Sequence, residues 1–217
     1  MARMPQLLNI EYGAPSQVWL HVKGGAKADV LSLDVSLINK TATRFAEAAF
    51  VTFDPVQGSG GSGSGWAMDK LGRWISPLAV ADGGSMGLSP VNTGILYSKG
   101  GGGGGSSSSS SAGGSGAGTA TTSSTPSQAA EAKQQRPSSS SPSVFFRTMD
   151  AAVVKFGEKV PFPTPIHGSA DMSQGTHFLL WDNYWNTNYV FWWPYETKPG
   201  CNSDNVLFRF AIELLSY

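Results

Sequence analysis

The sequence predicts an all-β protein, an antiparallel β-sandwich that carries a long disordered Gly/Ser insertion. Leu or Val occupies every second position from residue 31 to 37 in the segment Val30–Ile38, which is the period of a half-buried strand. Val206–Leu215 repeats this alternation. No convincing amphipathic helix appears, and short strands separated by Gly, Pro and Asn turns favour a sandwich over an α/β fold.

The other predicted strands are short and end at turn residues. Gln17–Lys23 precedes the strand at Val30, with Gly24 and Gly25 in the connecting turn, and Ala49–Phe53 ends at an Asp-Pro pair. Further strands are predicted over Gly94–Tyr97, Val144–Met149, Ala152–Phe156, His177–Trp181 and Tyr189–Trp192.

The whole chain, residues 1–217, is predicted to form a single β-sandwich region with low-complexity insertions at 58–65 and 99–143. The second insertion has no aromatic residue and consists mostly of Gly, Ser, Ala and Thr, a composition that favours disorder. Lengthening a turn to about 45 residues costs only about 2 kcal/mol of closure entropy, so two strands of one sandwich can flank it. About 160 residues then remain, which is enough for one core.

The composition excludes several classes of function. Basic and acidic side chains balance at 15 each, so nothing indicates nucleic acid or a membrane surface as a partner. No apolar run approaches the ~20 residues that span a bilayer. Cys201 is the single cysteine, so no internal disulfide is expected, and the cellular compartment stays open. Asn39-Lys40-Thr41 is a glycosylation sequon, which matters only in a secreted protein.

An aromatic–amide segment, residues 177–195, is the most distinctive part of the sequence. It holds nine aromatic residues, including four of the seven tryptophans, interleaved with Asp and Asn. Aromatic faces beside short amides suit a sugar ring, but the same residues also build a core that is closed by an Asn-rich turn. On a strand, Trp192 and Trp193 point to opposite faces, so one of them is available for an interface. The candidate carbohydrate or interdomain contacts are Trp185, Asn186, Asn188, Tyr189, Trp192 and Trp193.

Two glycine motifs match enzyme fingerprints without the structural context that these need. Gly58–Gly63 fits the dinucleotide pattern GxGxxG, but no helix is predicted after it. Gly83–Gly87 fits the serine-hydrolase pattern GxSxG around Ser85, and Asp150 or Asp171 and then His177 follow in triad order. Pro90 breaks the helix that such an elbow requires, so both motifs are interpreted as glycine-rich turns.

The remaining charged and histidine residues are interpreted as structural. His167, Asp171 and His177 lack close metal-ligand spacing, so no metal site is predicted. Arg44 and Glu47 are expected to form an ion pair that orders the turn after the first clear strand. No two carboxyl groups are nominated as the pair that a glycosidase holds about 5–9.5 Å apart. The isolated charges Asp69, Lys70 and Asp82 are interpreted as turn residues.

Several short segments also occur in the order of a known family, skipping both insertions. They are Asn39-Lys40-x-x-Thr43-Arg44-x-x-Glu47, Phe53-Asp54-Pro55, Trp66-x-Met68-Asp69-Lys70-Leu71-Gly72, Gly83-Gly84-Ser85, Asp150, Pro161-Phe162-Pro163-Thr164-Pro165, Trp185-x-Thr187-Asn188-Tyr189, Trp193-Pro194 and Phe208-Arg209-Phe210. In them the chain resembles the C-terminal region of the domain of unknown function 5054 (DUF5054) family, whose members are similar to glycoside hydrolase family 38 α-mannosidases. It departs from that pattern at Asp182-Asn183, at Asn186 and near Ser89-Pro90.

The resemblance implies that the chain is the C-terminal β-sandwich region of a larger, glycoside-hydrolase-like protein. The Asp nucleophile and the zinc ion would then belong to an N-terminal β/α barrel that is missing here, and Met1 would mark a truncated reading frame. The implied partners are that missing catalytic domain and glycans, with no cofactor in this chain and no catalysis by it alone. The alternative is a stand-alone carbohydrate-binding or protein-interaction β module.

Overall fold

A computed structural model describes residues 1–25, 27–41, 46–54, 65–79, 88–98, 142–157, 174–182 and 203–215. The strands in these ranges are β1 (Ala2–Arg3), β2 (Gln17–Gly24), β3 (Val30–Thr41), β4 (Ala48–Phe53), β5 (Trp66–Lys70), β6 (Arg73–Ile75), β7 (Ser89–Pro90), β8 (Gly94–Ser98), β9 (Ser143–Thr148), β10 (Val153–Phe156), β11 (Thr176–Asp182) and β12 (Ser203–Leu215). Helix α1 spans Gln6–Tyr12, and Pro77–Ala79 form a 3₁₀ turn.

The predicted antiparallel β-sandwich is confirmed. The large sheet has the strand order β1-β2-β3-β12-β9-β8-β5-β6, and the small sheet has the order β4-β11-β10-β7. All neighbouring strands run antiparallel. Within the described residues eight strands face four, so this part of the small sheet covers only part of the large one.

An aromatic cluster forms the centre of the core between the two sheets. The Phe53 ring of the small sheet lies 4.9 Å from that of Phe146 and 5.5 Å from that of Phe210, both in the large sheet. Phe178 completes the cluster, with its ring 5.4 Å from that of Phe210. Trp66 extends it toward β8, since its ring lies 4.9 Å from that of Tyr97. Buried rings of this size are a major source of stability.

The strands predicted from the sequence are confirmed wherever the structure describes them, and none of their ends differs from the expected position by more than three residues. They correspond to β2, β3, β4, β8, β9, β10, β11 and β12, whereas Tyr189–Trp192 lies outside the described residues. The β5–β6 hairpin was not predicted. Asp69 and Lys70, which were interpreted as turn residues, are instead the last residues of β5, and Leu71 and Gly72 form the turn. Both have positive φ, as a two-residue hairpin turn of this type requires.

The helix α1 is a second correction, because the sequence indicated no helix. It is seven residues long and none of its residues is buried, so it lacks the apolar face that a periodicity argument detects. Gly13 ends the helix in the left-handed conformation. Its N–H donates to the Asn9 carbonyl oxygen, which is the 5→1 bond of an αL cap, and the Ala14 N–H donates to the Leu8 carbonyl oxygen.

Strands β8 and β9 flank the longer predicted insertion and pair with each other. Ser98 lies opposite Ser143 in the ladder, and their hydroxyl oxygens are 2.8 Å apart. Gly94 begins β8 where the Phe146 carbonyl oxygen approaches so closely that a Cβ would collide with it. Within the described residues, no helix has the length and apolar character that crossing a membrane requires.

Candidate functional site

Most of the site residues predicted from sequence lie outside the described residues. This applies to all six candidate contacts of the aromatic–amide segment, Trp185, Asn186, Asn188, Tyr189, Trp192 and Trp193, and also to Arg44, Ser85, His167 and Asp171. The described part of that segment is residues 177–182, which belong to β11. It ends at Trp181 and Asp182, at one end of the sandwich.

A β-bulge in β3 changes which side chains face the core at this end. Val206 pairs with Leu37 and Asp204 pairs with Lys40, so β3 has one residue more than β12 over this stretch. Asn39 adopts a left-handed conformation with φ of 56°. Beyond the bulge the alternation is reversed, so the side chain of Lys40 points into the sandwich instead of toward solvent.

A second bulge lies in β11. Leu179 pairs with Phe50 and Trp181 pairs with the adjacent residue Ala49, so Leu180 is the extra residue. Trp181 consequently joins the same apolar cluster as Phe178. The two bulges, one in each sheet, therefore direct Lys40 and Trp181 toward each other.

Together with Glu47, these two residues form what we call the Lys40 cluster (Lys40, Glu47 and Trp181). The Lys40 side chain has no solvent exposure. Its Nζ lies 2.8 Å from Glu47 Oε1 and 2.7 Å from the carbonyl oxygen of Thr41, and 4.5 Å from the centre of the Trp181 ring. A buried ammonium requires such partners, and here one carboxylate, one carbonyl and one aromatic face surround it.

The Lys40 cluster joins the two sheets. Lys40 lies near the end of β3 in the large sheet, and Glu47 immediately precedes β4 in the small sheet. Their ion pair therefore links the end of β3 in one sheet to the start of β4 in the other. Because the ammonium is inaccessible and its donors are directed at these partners, the arrangement suits support of the fold rather than attack on a substrate.

Asparagine side chains hold α1 against this end of the sandwich. Asn9 Nδ2 donates to the carbonyl oxygens of Asn39, at 2.9 Å, and of Ala14, at 2.6 Å. From the other side, Asn205 Oδ1 accepts the Asn39 N–H at 2.8 Å. The backbone C=O and N–H of Asn39 are thus both hydrogen-bonded to side-chain amides of residues that are distant in sequence.

His177 is buried, and its two ring nitrogens have protein partners. Nε2 lies 2.9 Å from the Gly157 carbonyl oxygen, which can only accept, so Nε2 carries a proton. Nδ1 lies 2.9 Å from Thr52 Oγ1. Both nitrogens are therefore engaged within the fold, which argues against His177 as a metal ligand or as the base of a Ser85 triad.

Asp150 does not serve as a triad acid, because it pairs with Arg209. Its two carboxylate oxygens accept hydrogen bonds from Nε and Nη2 of Arg209, at 2.9 and 2.8 Å, and one of them also accepts the Arg209 backbone N–H. The side-chain hydrogen bond to Arg209 is the main reason that the pKa of Asp150 is lowered, and it outweighs the effect of partial burial.

We expect this ion pair to make stability depend on pH. The folded-state pKa of Asp150 lies below its ordinary value of 3.8, so its contribution is present above about pH 4 and is lost as pH falls through the folded pKa. At pH 7, Asp150→Asn should lower the melting temperature by about 2–4 °C. The difference from wild type should shrink below about pH 4 in thermal unfolding followed by circular dichroism.

Asp29→Asn, at an exposed carboxylate, is the control and should change the melting temperature little. An effect of Asp150→Asn that is constant down to pH 2 would contradict this explanation.

Comparisons with family models, with curated proteins and with solved structures found no match for this chain. Among the described residues, no three His, Cys, Asp or Glu side chains are grouped in a way that would hold a metal ion.

Little in the sequence indicated the Lys40 cluster. Glu47 was expected to pair with Arg44, which lies outside the described residues, and in the structure it pairs with Lys40. The available signal was Asn39, a residue type that tolerates the left-handed conformation, at the end of an alternating strand. A bulge predicted at Asn39 would have placed the side chain of Lys40 between the two sheets.

Proposed function

We propose that this chain is the C-terminal β-sandwich region of a glycoside-hydrolase-like, α-mannosidase-like protein. It supports an N-terminal catalytic barrel and takes part in carbohydrate contact, without catalysing a reaction alone. The observation that carries the proposal is an exposed apolar part of the core-facing side of the large sheet. The zinc ion implied by the family resemblance belongs to the barrel, and no residue of this chain is assigned to it.

This exposed surface, which we call the overhang face, consists of Leu20, Val22, Leu31 and Leu214. Leu20 lies directly opposite the core residue Val35 in the neighbouring strand, so it is on the core side of the sheet. Yet Leu20 and Val22 are 60% and 62% exposed, and Leu31 and Leu214 are 44% and 55% exposed. Contiguous exposed apolar side chains of this kind mark surfaces that bind another protein or domain.

The residues that carry the family resemblance also act as supports within the sandwich. Lys40 and Glu47 join the two sheets, and Asp150 holds Arg209. Asp69 Oδ1 accepts the Gly72 N–H at 2.9 Å and so orders the β5–β6 turn. A motif whose residues are used in this way favours a structural region over an independent catalytic one.

The test begins with the DNA upstream of the Met1 codon. We expect an open frame that encodes a barrel with paired Asp residues and His ligands. That barrel, expressed as a separate chain, should copurify with this one. Leu31→Asp combined with Leu214→Asp should abolish the association, because it places charges on the overhang face.

Leu207→Asp is the matched control. Leu207 is 46% exposed and lies on β12 like Leu214, but it alternates to the opposite side of the sheet. It should leave the association unchanged. An unrelated gene with its own stop codon upstream, or equal effects of the two sets of substitutions, would overturn the proposal.

A stand-alone carbohydrate-binding module is the second candidate. It is favoured by the position of Trp181, which fixes the last described part of the aromatic–amide segment, residues 181–182, at one end of the sandwich. In this case tryptophan fluorescence of the isolated chain should shift on titration with mannosides or other glycans, and Trp192→Ala should reduce the shift. No response across a glycan panel would argue against this candidate.

A further inference from the structure

The edge of the large sheet at β2 is largely unpaired within the described residues. β1 contacts β2 on that side only at Gln17 and Val18. From Trp19 to Gly24, no other described strand continues the sheet. Exposed edges of this length and apolar character are open to pairing with another strand.

The hydrogen-bonding pattern shows which residues present backbone groups at this edge. The Gly25 N–H donates to the Val30 carbonyl oxygen, in register with the β2–β3 ladder, so odd-numbered β2 residues bond to β3. The Met4 N–H donates to the Ser16 carbonyl oxygen on the other side. Because the two sides alternate, the N–H and C=O groups of Leu20, Val22 and Gly24 point outward from the sheet.

We propose that β2 pairs antiparallel with β2 of a second copy of this chain, around a two-fold axis at His21. This register pairs residues 19–23 of the two copies. Leu20 of each copy lies opposite Val22 of the other, and each of these two pairs exchanges two backbone hydrogen bonds, which gives four in all. This register also places Trp19 opposite Lys23, so that the ammonium can lie on the indole face. β1 pairs with Gln17 and Val18, so it blocks a shift of the partner strand toward the N-terminal end of β2. A shift toward the C-terminal end would place Lys23 opposite His21 of the partner copy.

The side chains around this edge match a second copy better than an unrelated strand. Trp19 is 48% exposed, and its Nε1 donates to Gln17 Oε1 at 2.9 Å, which fixes the indole on the outer side of the sheet. The Lys23 side chain is 54% exposed and lies 3.2 Å from Asp34 on the same side. Each copy therefore supplies both members of the aromatic–cation pair, and the two-fold symmetry closes the assembly at a dimer.

The test measures the mass of the full chain by light scattering after size exclusion, over about 1–200 µM. We expect a shift from monomer to dimer with concentration, since an edge-to-edge contact is small. Val22→Pro removes the outward N–H but no bond to β3, and should weaken the dimer at least about tenfold. Val22→Thr keeps the N–H and is the matched control, which should still form the dimer.

A second measurement does not depend on how well the proline variant folds. In a Cys201→Ser background, His21→Cys should form a disulfide-linked dimer on mild oxidation, because residue 21 faces its own copy in a closely spaced pair. Leu207→Cys, which is exposed elsewhere, should not. A monomer at every concentration, a dimer that is insensitive to a folded Val22→Pro variant, or equal crosslinking by the two cysteines would overturn the proposal. Because this test measures association of the chain with itself, in the absence of any barrel, its outcome is distinguishable from that of the Leu31 and Leu214 test above.

Discussion

Replacing Glu47 by Ala is expected to lower the free energy of unfolding by about 3 kcal/mol, because the substitution leaves a buried ammonium without its carboxylate. Lys40 has no solvent exposure, whereas the Glu47 side chain retains 21%. Lys40→Met should therefore cost less, about 1 kcal/mol, since the remaining carboxylate can be hydrated. Urea denaturation of both single variants measures this asymmetry.

The double variant Lys40→Met, Glu47→Ala distinguishes this explanation from a simple loss of contacts. With no buried charge left, it should be more stable than Glu47→Ala alone, so the two effects are not additive. Lys23→Met is the control for an exposed pair, with Asp34, and should change stability by less than about 1 kcal/mol. A larger loss for Lys40→Met than for Glu47→Ala would contradict the assignment of the buried charge.

Phe178→Ala should have the largest effect in the core, a loss of about 3–5 kcal/mol, because it opens a cavity between the two sheets. Phe178 is completely buried, and its ring contacts those of Phe53 and Phe210. Leu207→Ala removes a half-exposed side chain and should cost less than about 0.5 kcal/mol. Chemical denaturation of both variants gives the comparison, and similar losses would show that the aromatic cluster is not the centre of the core.

The sequence predicted the strands well where one face is buried and the other is polar. β3 and β12 alternate over most of their length, and their pairing in the large sheet brings Val35 opposite Phe208 and Leu33 opposite Phe210. The helix α1 could not be predicted in the same way, because hydrogen bonds from Asn9, rather than an apolar face, hold it in place. Its length of seven residues is also too short for helical periodicity to be distinctive.

The candidate site depends on departures from alternation, which a period-2 pattern cannot report. Continued from Leu37, strict alternation would direct Asn39 inward and Lys40 outward. One extra residue in β3 exchanges these positions, and one extra residue in β11 does the same for Trp181. The burial of Lys40 therefore follows from the register between strands that are far apart in the chain.

Ser98 and Ser143 offer a practical use of this architecture. The 44 residues between them leave and re-enter the sandwich at two facing positions of one ladder, which are bridged by their hydroxyl groups. Facing Cα atoms in such a ladder lie about 5 Å apart. Any guest domain whose own termini are adjacent can thus be spliced between β8 and β9, and the same position is a natural breakpoint for circular permutation.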